Sequence, residues 1–206
     1  MKKNEYTQRS YDFEMRASPD EAGVIEGRPI VFESKTDLGY FDEIIHQGAL
    51  DKTNLKDVRF LVNHNIGMVP LARSRNNNEN STMRLMPDKD GLGIRLNLDI
   101  ENNSDAKNLH SAIQRGDITG MSFMFSINGE EWEDLESDHP TRHIRDIGEV
   151  LEVSAVTFPA YEATEINARA KSELDSSRAL DSARSKSPDG VNADELELLK
   201  LKNRLY

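Results

Sequence analysis

The segment Gly116–Ile127, GDITGMSFMFSI, restricts the fold more than any other part of the chain. Gly116 is typical of a residue that ends a helix, and a tight connection follows it through Gly120. From Met121 onward, apolar and polar residues alternate with the period of a β-strand. One face carries Met121, Phe123, Phe125 and Ile127, and the other carries Ser122, Met124 and Ser126. The segment therefore predicts a strand whose Ser122 hydroxyl points away from an aromatic core face.

A hydroxyl in this position is a candidate nucleophile, because the core behind the strand would hold it in place after a glycine-rich turn. The chain has no cysteine, which excludes disulfides, thiolate zinc sites and a cysteine nucleophile. Covalent catalysis would therefore use Ser, Thr or Lys. A strand serine alone is more often just a polar position, so Ser122 needs partners elsewhere in the chain.

Composition limits the function classes. A chain of 206 residues with 36% apolar content is long enough for one well-buried domain and a tail. The net charge of -11 opposes attraction to a phosphate backbone, so no nucleic-acid partner is expected. The sequence has no apolar run of membrane-spanning length, and its first ten residues lack the apolar middle of a signal peptide. We therefore expect a cytosolic protein without a membrane partner.

Residues outside the Ser122 segment predict further strands and one helix. Short strand pieces are expected in Tyr11–Ala17 and Gly23–Ser34, with Pro29 favouring an edge or a bulge. The clearest hairpin joins Ser81–Met86 to Gly91–Ile100 through the turn PDKDG. Ser104 is predicted to be the N-cap of a helix that ends at Gly116.

The predicted domain plan has three parts. Residues 1–10 form a flexible N-terminus, and residues 11–167 form the folded domain. Residues 168–206 form a low-complexity tail in which Ser187–Gly190 marks a break and 193–205 predicts a short amphipathic helix. Such a tail is a candidate for self-cleavage or for scaffold binding.

His64 is the first candidate partner of Ser122. It lies in the predicted strand DVRFLVNHN, in which alternation places His64 at the end of the row Val58, Phe60 and Val62. A partly buried imidazole there either caps the strand end or serves as a general base, since free imidazole titrates near pH ~6.5.

Glu152 is the second candidate partner. It lies in the strand VLEVSAV, between apolar neighbours on what looks like a central strand. A buried carboxylate is unfavourable unless it is paired, most simply with His or Arg from a neighbouring strand. If the fold brings the three side chains together, Ser122 would be the nucleophile, His64 the base and Glu152 the orienting carboxylate. Their order in the chain is not that of chymotrypsin, and Ser122 does not lie in a Gly-x-Ser-x-Gly elbow.

A metal site is a weaker alternative. His139 and His143 are four residues apart in an acidic segment, Asn128–His143, that is otherwise expected to be a flexible surface loop. Pro140 disfavours a helix that would place both imidazoles on one face, and a third ligand is not evident. We therefore predict no metal and no cofactor.

Several segments together resemble the prohead (procapsid maturation) proteases of tailed phages. They are FDEIIHQGAL, the LVNH before residue 65, DGLGIRL, RGDITGMSFMF and LEVSAVTFPAYEATEINAR, which occur in the family's order between Ile25 and Arg169. The resemblance implies an α+β, mainly β fold: a closed β-barrel like that of herpesvirus assemblin, with surrounding helices and a flexible tail. It also implies a serine endopeptidase whose catalytic residues are His64, Ser122 and Glu152, the acidic third member being the phage pattern.

The same resemblance implies the biology. The enzyme would act inside the assembling procapsid in the host cytoplasm, and would cleave the major capsid protein, scaffold or delta segments, and itself. Herpesvirus relatives form dimers, so a homodimer or higher oligomer is a further expectation from the resemblance. The chain departs from the family at EGRPIVF, where Arg28 and Pro29 replace small residues.

Three questions stay open at the level of sequence. Glu149 is an alternative to Glu152, although strict alternation would let only one of them face His64. The oxyanion donors are backbone N–H groups near Ser122, or Arg142 or Arg145, with no preference among them. The competing functions are a non-catalytic shell or scaffold protein, and a metal-dependent hydrolase that uses His139 and His143.

Overall fold

The computed structural model describes residues 6–11, 15–157 and 166–186, and within them the fold is mainly β. The strands are β1 (Tyr6–Tyr11), β2 (Arg16–Ala17), β3 (Val24–Val31), β4 (Lys35–Asp37), β5 (Asp42–Ile45), β6 (Asp57–Val62), β7 (Ala72–Arg75), β8 (Met83–Asp88), β9 (Gly91–Asn97), β10 (Gly120–Glu133) and β11 (Thr141–Val156). The helices are α1 (Ser104–Arg115) and α2 (Ile166–Lys186). No described helix has the length and apolar character needed to cross a membrane.

The strands form two sheets. The larger has the order β1-β10-β11-β5-β4, and β6 pairs with β11 and β7 as a branch. The smaller has the order β2-β3-β9-β8. These pairings leave both sheets open in the described part of the chain, so the mainly β class is confirmed whereas the assemblin-like closed barrel is not.

Strand β11 organises the larger sheet. It pairs antiparallel with β10 along most of its length. On its other side it pairs in parallel first with β5, through Thr141–Ile144, and then with β6, through Glu152–Ala155. The second half of β11 is consequently buried on both faces, as expected for a central strand. Any polar side chain on that half must find partners inside the protein.

The hydrophobic core lies between the two sheets and against α1. Alternation in β9 buries Leu92, Ile94 and Leu96, and alternation in β10 buries Met121, Phe123 and Phe125, all without solvent exposure. The predicted hairpin is thus confirmed as β8 and β9. Pro29 lies in a bulge of β3, because the ladder with β9 skips from Gly27 to Ile30.

Helix α1 ends as predicted at Gly116, which has a φ of 78° and whose N–H donates to the carbonyls of Ala112 and Ile113. Its N-cap is one residue earlier than expected. Asn103 has extended backbone, and its side chain accepts hydrogen bonds from the N–H groups of Asp105 and Ala106. The prediction of Ser104 was therefore wrong by one position, because Asn and Ser are equally good caps and both occur here.

The acidic segment was predicted wrongly as a flexible loop. Strand β10 runs on to Glu133, and β11 begins at Thr141, so only residues 134–140 connect them. The sequence shows no alternation of apolar and polar residues here, because this end of the hairpin carries paired acidic and basic side chains on both faces. Examples are Arg142 with Glu130, and Arg145 with Glu131.

Helix α2 crosses the predicted boundary at residue 168. Its Leu180 is buried, and Arg184 donates to the carbonyl oxygens of Leu135 (3.1 Å) and Ser137 (2.8 Å) in the β10–β11 connection. These contacts attach the visible part of the helix to the folded domain. The predicted helix at 193–205 and the break at 187–190 lie outside the described residues, and the three-part domain plan stays a prediction.

Candidate active site

Ser122 lies on the face of β10 opposite the aromatic core. Its direct partner on β11 is Ser154, and its partner on β1 is Ser10, so these positions share one face of the sheet. The Ser122 side chain is completely buried, and its Oγ donates to the backbone carbonyl oxygen of Arg9 at 2.8 Å. The predicted direction of the hydroxyl agrees with the register, but the hydroxyl is enclosed and already engaged with β1.

His64 does not continue the buried row of β6. The strand ends at Val62, and Asn63 and His64 both adopt the left-handed conformation, with φ of 50° and 55°. This turn carries the imidazole to the opposite face, where its side chain is 16% exposed. The expectation that alternation would extend to residue 64 was wrong, because two consecutive left-handed residues reverse the chain after the strand.

Asn63 holds the turn against the end of β11. Its backbone N–H donates to the carbonyl oxygen of Ala155 at 2.9 Å, and its side-chain Oδ1 accepts from the N–H of Thr157 at 3.0 Å. Its Nδ2 donates to the Thr157 hydroxyl at 3.0 Å. Asn tolerates the left-handed region better than most residues, so this amide both permits the turn and docks it.

Glu152 and His64 are in direct contact. The carboxylate is only 1% exposed, and its Oε1 lies 2.5 Å from Nδ1 of His64. Its second oxygen, Oε2, accepts from the hydroxyl of Ser154 at 2.5 Å. A buried carboxylate with both oxygens bonded avoids most of the penalty of an unpaired charge. The pairing also leaves Nε2 as the ring nitrogen available to another group.

Glu149 forms no hydrogen bond with His64 among the described residues, although it lies on the same face of the sheet as Glu152. A bulge at Leu151 shifts the register, so that Met124 pairs with Glu152 while Ser126 pairs with Glu149. Both glutamates therefore face the same side of the sheet, contrary to the expectation. The Glu149 carboxylate is bonded elsewhere: Tyr6 Oη donates to Oε2 at 2.7 Å, and Asn54 Nδ2 donates to Oε1 at 2.8 Å.

Ser154 is a site residue that the sequence reasoning missed. Its fully buried hydroxyl donates to Glu152 and accepts from the backbone N–H of His64 at 3.1 Å. One side chain thus fixes both the carboxylate and the turn that carries the imidazole. The available signal was the spacing of two residues between Glu152 and Ser154, which puts both on one face of a strand beside the predicted nucleophile.

The structure thus joins two of the three predicted catalytic residues and places the third beside them. Among the described residues, no hydrogen bond connects Ser122 with His64, because the serine hydroxyl donates to Arg9. Arg142 and Arg145 are not near this group. Arg142 packs over Phe41 and Trp132 and bonds Glu130, and Arg145 bonds Glu131, at the opposite end of β11.

The remaining histidines occupy other environments. His139 Nε2 lies 3.2 Å from Asp42 Oδ1, whereas His143 contacts His46 and Glu133, so the two histidines of the metal alternative do not converge on one ion. Asp37, Asp42 and His139 do bring ligand atoms within 4.8 Å of one another. Lys35 Nζ already bonds Asp42 at 2.5 Å in that cluster. His110, in α1, has a buried Nε2 without a hydrogen-bond partner in the described residues.

Comparison with known families gives the chain its place. Neither the curated proteins nor the solved structures contain a match to it. The family described as caudovirus prohead serine protease matches residues 10–177, which is most of the chain and includes His64, Ser122 and Glu152. The chain therefore belongs to the caudovirus prohead serine proteases and is a serine peptidase.

Proposed function

We propose that this chain is the endopeptidase of capsid maturation, with Ser122 as nucleophile, His64 as general base and Glu152 as orienting carboxylate. The observation that carries the proposal is the 2.5 Å contact between His64 Nδ1 and buried Glu152, which lies two residues along β11 from Ser154, the direct strand partner of Ser122. Membership of the prohead protease family supports the reaction class. It also supports capsid and scaffold proteins as substrates and the assembling procapsid in the host cytoplasm as the place of action.

The residues divide the chemistry in a defined way. Glu152 accepts the Nδ1 proton of His64, so Nε2 carries the lone pair that receives the hydroxyl proton of Ser122. The Ser122 oxygen then bonds to the scissile carbonyl carbon, and the C–N bond breaks as His64 returns the proton to the leaving amine. A water molecule, deprotonated in the same way, hydrolyses the ester and restores Ser122.

The hydrogen bond between Ser122 and Arg9 sets a condition on this mechanism. The hydroxyl must rotate away from the Arg9 carbonyl before it can donate to Nε2 of His64. Because Ser122 has no exposed surface, a substrate must also gain access to it. The described arrangement is therefore a resting one, and the proposal requires β1 or another covering segment to move before acylation.

A serine-directed fluorophosphonate tests the proposal, since an activated serine displaces fluoride and forms a stable P–O bond. We expect one adduct per wild-type chain, located on Ser122 by peptide mapping. Ser122→Ala should abolish it, whereas Ser126→Ala, a buried serine on the same face of β10, should retain it. His64→Gln should slow labelling by about 10³-fold or more, and His139→Gln should not.

The same experiment separates the enzyme from a non-catalytic shell or scaffold protein. A folded wild-type chain that gives no adduct, or an adduct that persists in Ser122→Ala, would contradict the proposed site. Self-cleavage provides a second readout by intact mass. Loss of C-terminal residues from the wild type and from Ser122→Ala alike would show that another protease removes them.

A further inference from the structure

A second histidine arrangement lies at the other end of β11. His46 follows β5 directly, and His143 lies in β11, its parallel neighbour. Nε2 of His46 and Nδ1 of His143 are 2.8 Å apart, with the ring planes 25° from parallel. The backbone N–H of His46 donates to the carbonyl oxygen of Ile144 at 3.0 Å, which holds the two strands in register at this point.

Each imidazole has a carboxylate on its far nitrogen. Glu33 lies 3.0 Å from His46 Nδ1, and Glu133 lies 3.1 Å from His143 Nε2. Glu33 is held firmly: its residue has a φ of 57°, its N–H donates to the carbonyl oxygen of Ile45, and its carboxylate accepts from the N–H of Gln47 at 2.8 Å.

The four groups Glu33, His46, His143 and Glu133 lack a hydrogen-bond donor between the two imidazoles. An ionised carboxylate only accepts hydrogen bonds, so the far nitrogen of each ring carries the N–H. A neutral imidazole has one N–H, which leaves a lone pair on each of the two near nitrogens. Two lone pairs facing each other at 2.8 Å repel, and only a cation between them turns that repulsion into attraction.

We propose that His46 and His143 form a binding site for a divalent transition metal ion of the Zn²⁺ class. Metal-bound histidines commonly donate the other ring N–H to a carboxylate, which is the role that Glu33 and Glu133 have here. Bonds of about 2.0–2.1 Å to a tetrahedral ion need the nitrogens about 3.3 Å apart, so the rings must separate by about 0.5 Å. Both side chains are 16% exposed, which gives an ion access and leaves its other positions to water.

The site would join the end of β5 to β11 without touching the proposed catalytic group. His143 and Glu152 are nine residues apart on the same strand. An ion held by both histidines would stabilise the folded state by mass action, because the unfolded chain does not bring the two rings together. The inference therefore does not depend on the protease mechanism, and Ser122→Ala protein should bind the ion as the wild type does.

Calorimetric titration of the EDTA-treated full chain with Zn²⁺ near neutral pH tests the site. We expect one ion per chain and a rise in melting temperature. His143→Gln and His46→Gln should each weaken binding at least tenfold, whereas His139→Gln, a more exposed histidine on the same hairpin, should bind as the wild type does. Glu33→Gln leaves both ligands in place and should weaken binding about 10- to 100-fold.

Two outcomes would overturn the proposal. One is the absence of both binding and thermal stabilisation in the wild type, which would leave a shared proton as the only cation between the rings. The other is binding that survives His143→Gln and is lost in His139→Gln, which would assign the ion to Asp37, Asp42 and His139. Because Glu33 is an exposed residue, Glu33→Gln also gives a clear result if a histidine variant fails to fold.

Discussion

Two buried glutamates of the larger sheet, Glu43 and Glu152, differ in their partners. Each is 1% exposed. Glu43 lies between guanidinium groups: Arg9 binds both of its oxygens, at 2.5 and 2.7 Å, and Arg142 lies 3.5 Å away. Glu152 binds instead the imidazole of His64 and the hydroxyl of Ser154.

The partner of each glutamate decides whether its carboxylate is able to take part in chemistry. Arg is always protonated in proteins, so the Glu43 pair exchanges no proton and its effect is on stability and geometry. Imidazole gains and loses a proton near neutral pH, so the Glu152 pair is able to support a general base. Burial marked both glutamates as needing partners, and the identity of the partner separates structure from catalysis.

The largest expected effect is a loss of labelling rate when the Glu152 carboxylate is replaced. Glu152→Gln should lower the rate of fluorophosphonate labelling about 10³- to 10⁴-fold, because the amide can donate to Nδ1 and favour the wrong tautomer of His64. Stopped-flow or gel-based labelling rates measure the change. Glu149→Gln is the matched control, since Glu149 faces the same side of the sheet, and a similar loss in that variant would assign the orienting role to Glu149.

Replacing the Glu43 carboxylate should instead lower the stability of the fold. Glu43→Gln leaves the buried guanidinium groups of Arg9 and Arg142 without a full counter-charge, and should lower the free energy of unfolding by about 3–5 kcal/mol. Urea unfolding measures the loss, and Glu130→Gln, which removes a carboxylate that is one-third exposed (33%), should lose less. A stability equal to that of the wild type would show that the Glu43 network is not the structural pair inferred here.

A smaller effect sharpens the role of Ser154. Ser154→Ala removes the hydrogen bond to Glu152, and should slow labelling about 10- to 100-fold, because a hydrogen bond to a charged group contributes about 1.5–3 kcal/mol. Ser154→Thr keeps the hydroxyl and should recover most of the rate. Equal losses in both variants, in proportion to their stability, would indicate that Ser154 only fills space.

The smallest effect comes from an exposed pair that serves as a reference. Arg28 forms two hydrogen bonds to Asp88, and these, together with the N–H groups of Asp90 and Gly91, lower the pKa of Asp88 from 3.8 to about 2. A lowered folded-state pKa contributes stability above pH 3.8, and this contribution is lost as the pH falls towards 2. Wild type and Asp88→Asn should therefore differ slightly in thermal stability at pH 6 and converge near pH 2; a constant difference would contradict the pairing.

Sequence reasoning predicted the parts of the fold that depend on local pattern. Alternation in β9 and β10 identified which side chains enter the core, and Gly116 identified the end of α1. The long β10–β11 hairpin was missed because its outer half is stabilised by ion pairs rather than by buried apolar residues. Pairings such as Arg142 with Glu130 depend on strands that only the folded chain brings together.

The site could be predicted in its residue types but not in its geometry. Ser122 was selected by alternation, and Glu152 was selected as a carboxylate between apolar neighbours that would need a partner. His64 reaches Glu152 only through a left-handed turn, and Glu149 joins the same face only through the bulge at Leu151. Both features change the side on which a residue lies, and neither has a sequence signature as strong as alternation.

Arg9 connects the proposed nucleophile with the buried glutamate of β5. Its carbonyl holds the alcohol of residue 122, and its guanidinium clamps the acid at position 43. If β1 separated from the sheet, the Ser122 hydroxyl would lose its acceptor and the Glu43 carboxylate would lose its main counter-charge at the same time. The ion pair between Arg9 and Glu43 would thus oppose exposure of Ser122. Substitutions at Glu43 would then change how readily β1 moves, although they lie away from the reacting atoms.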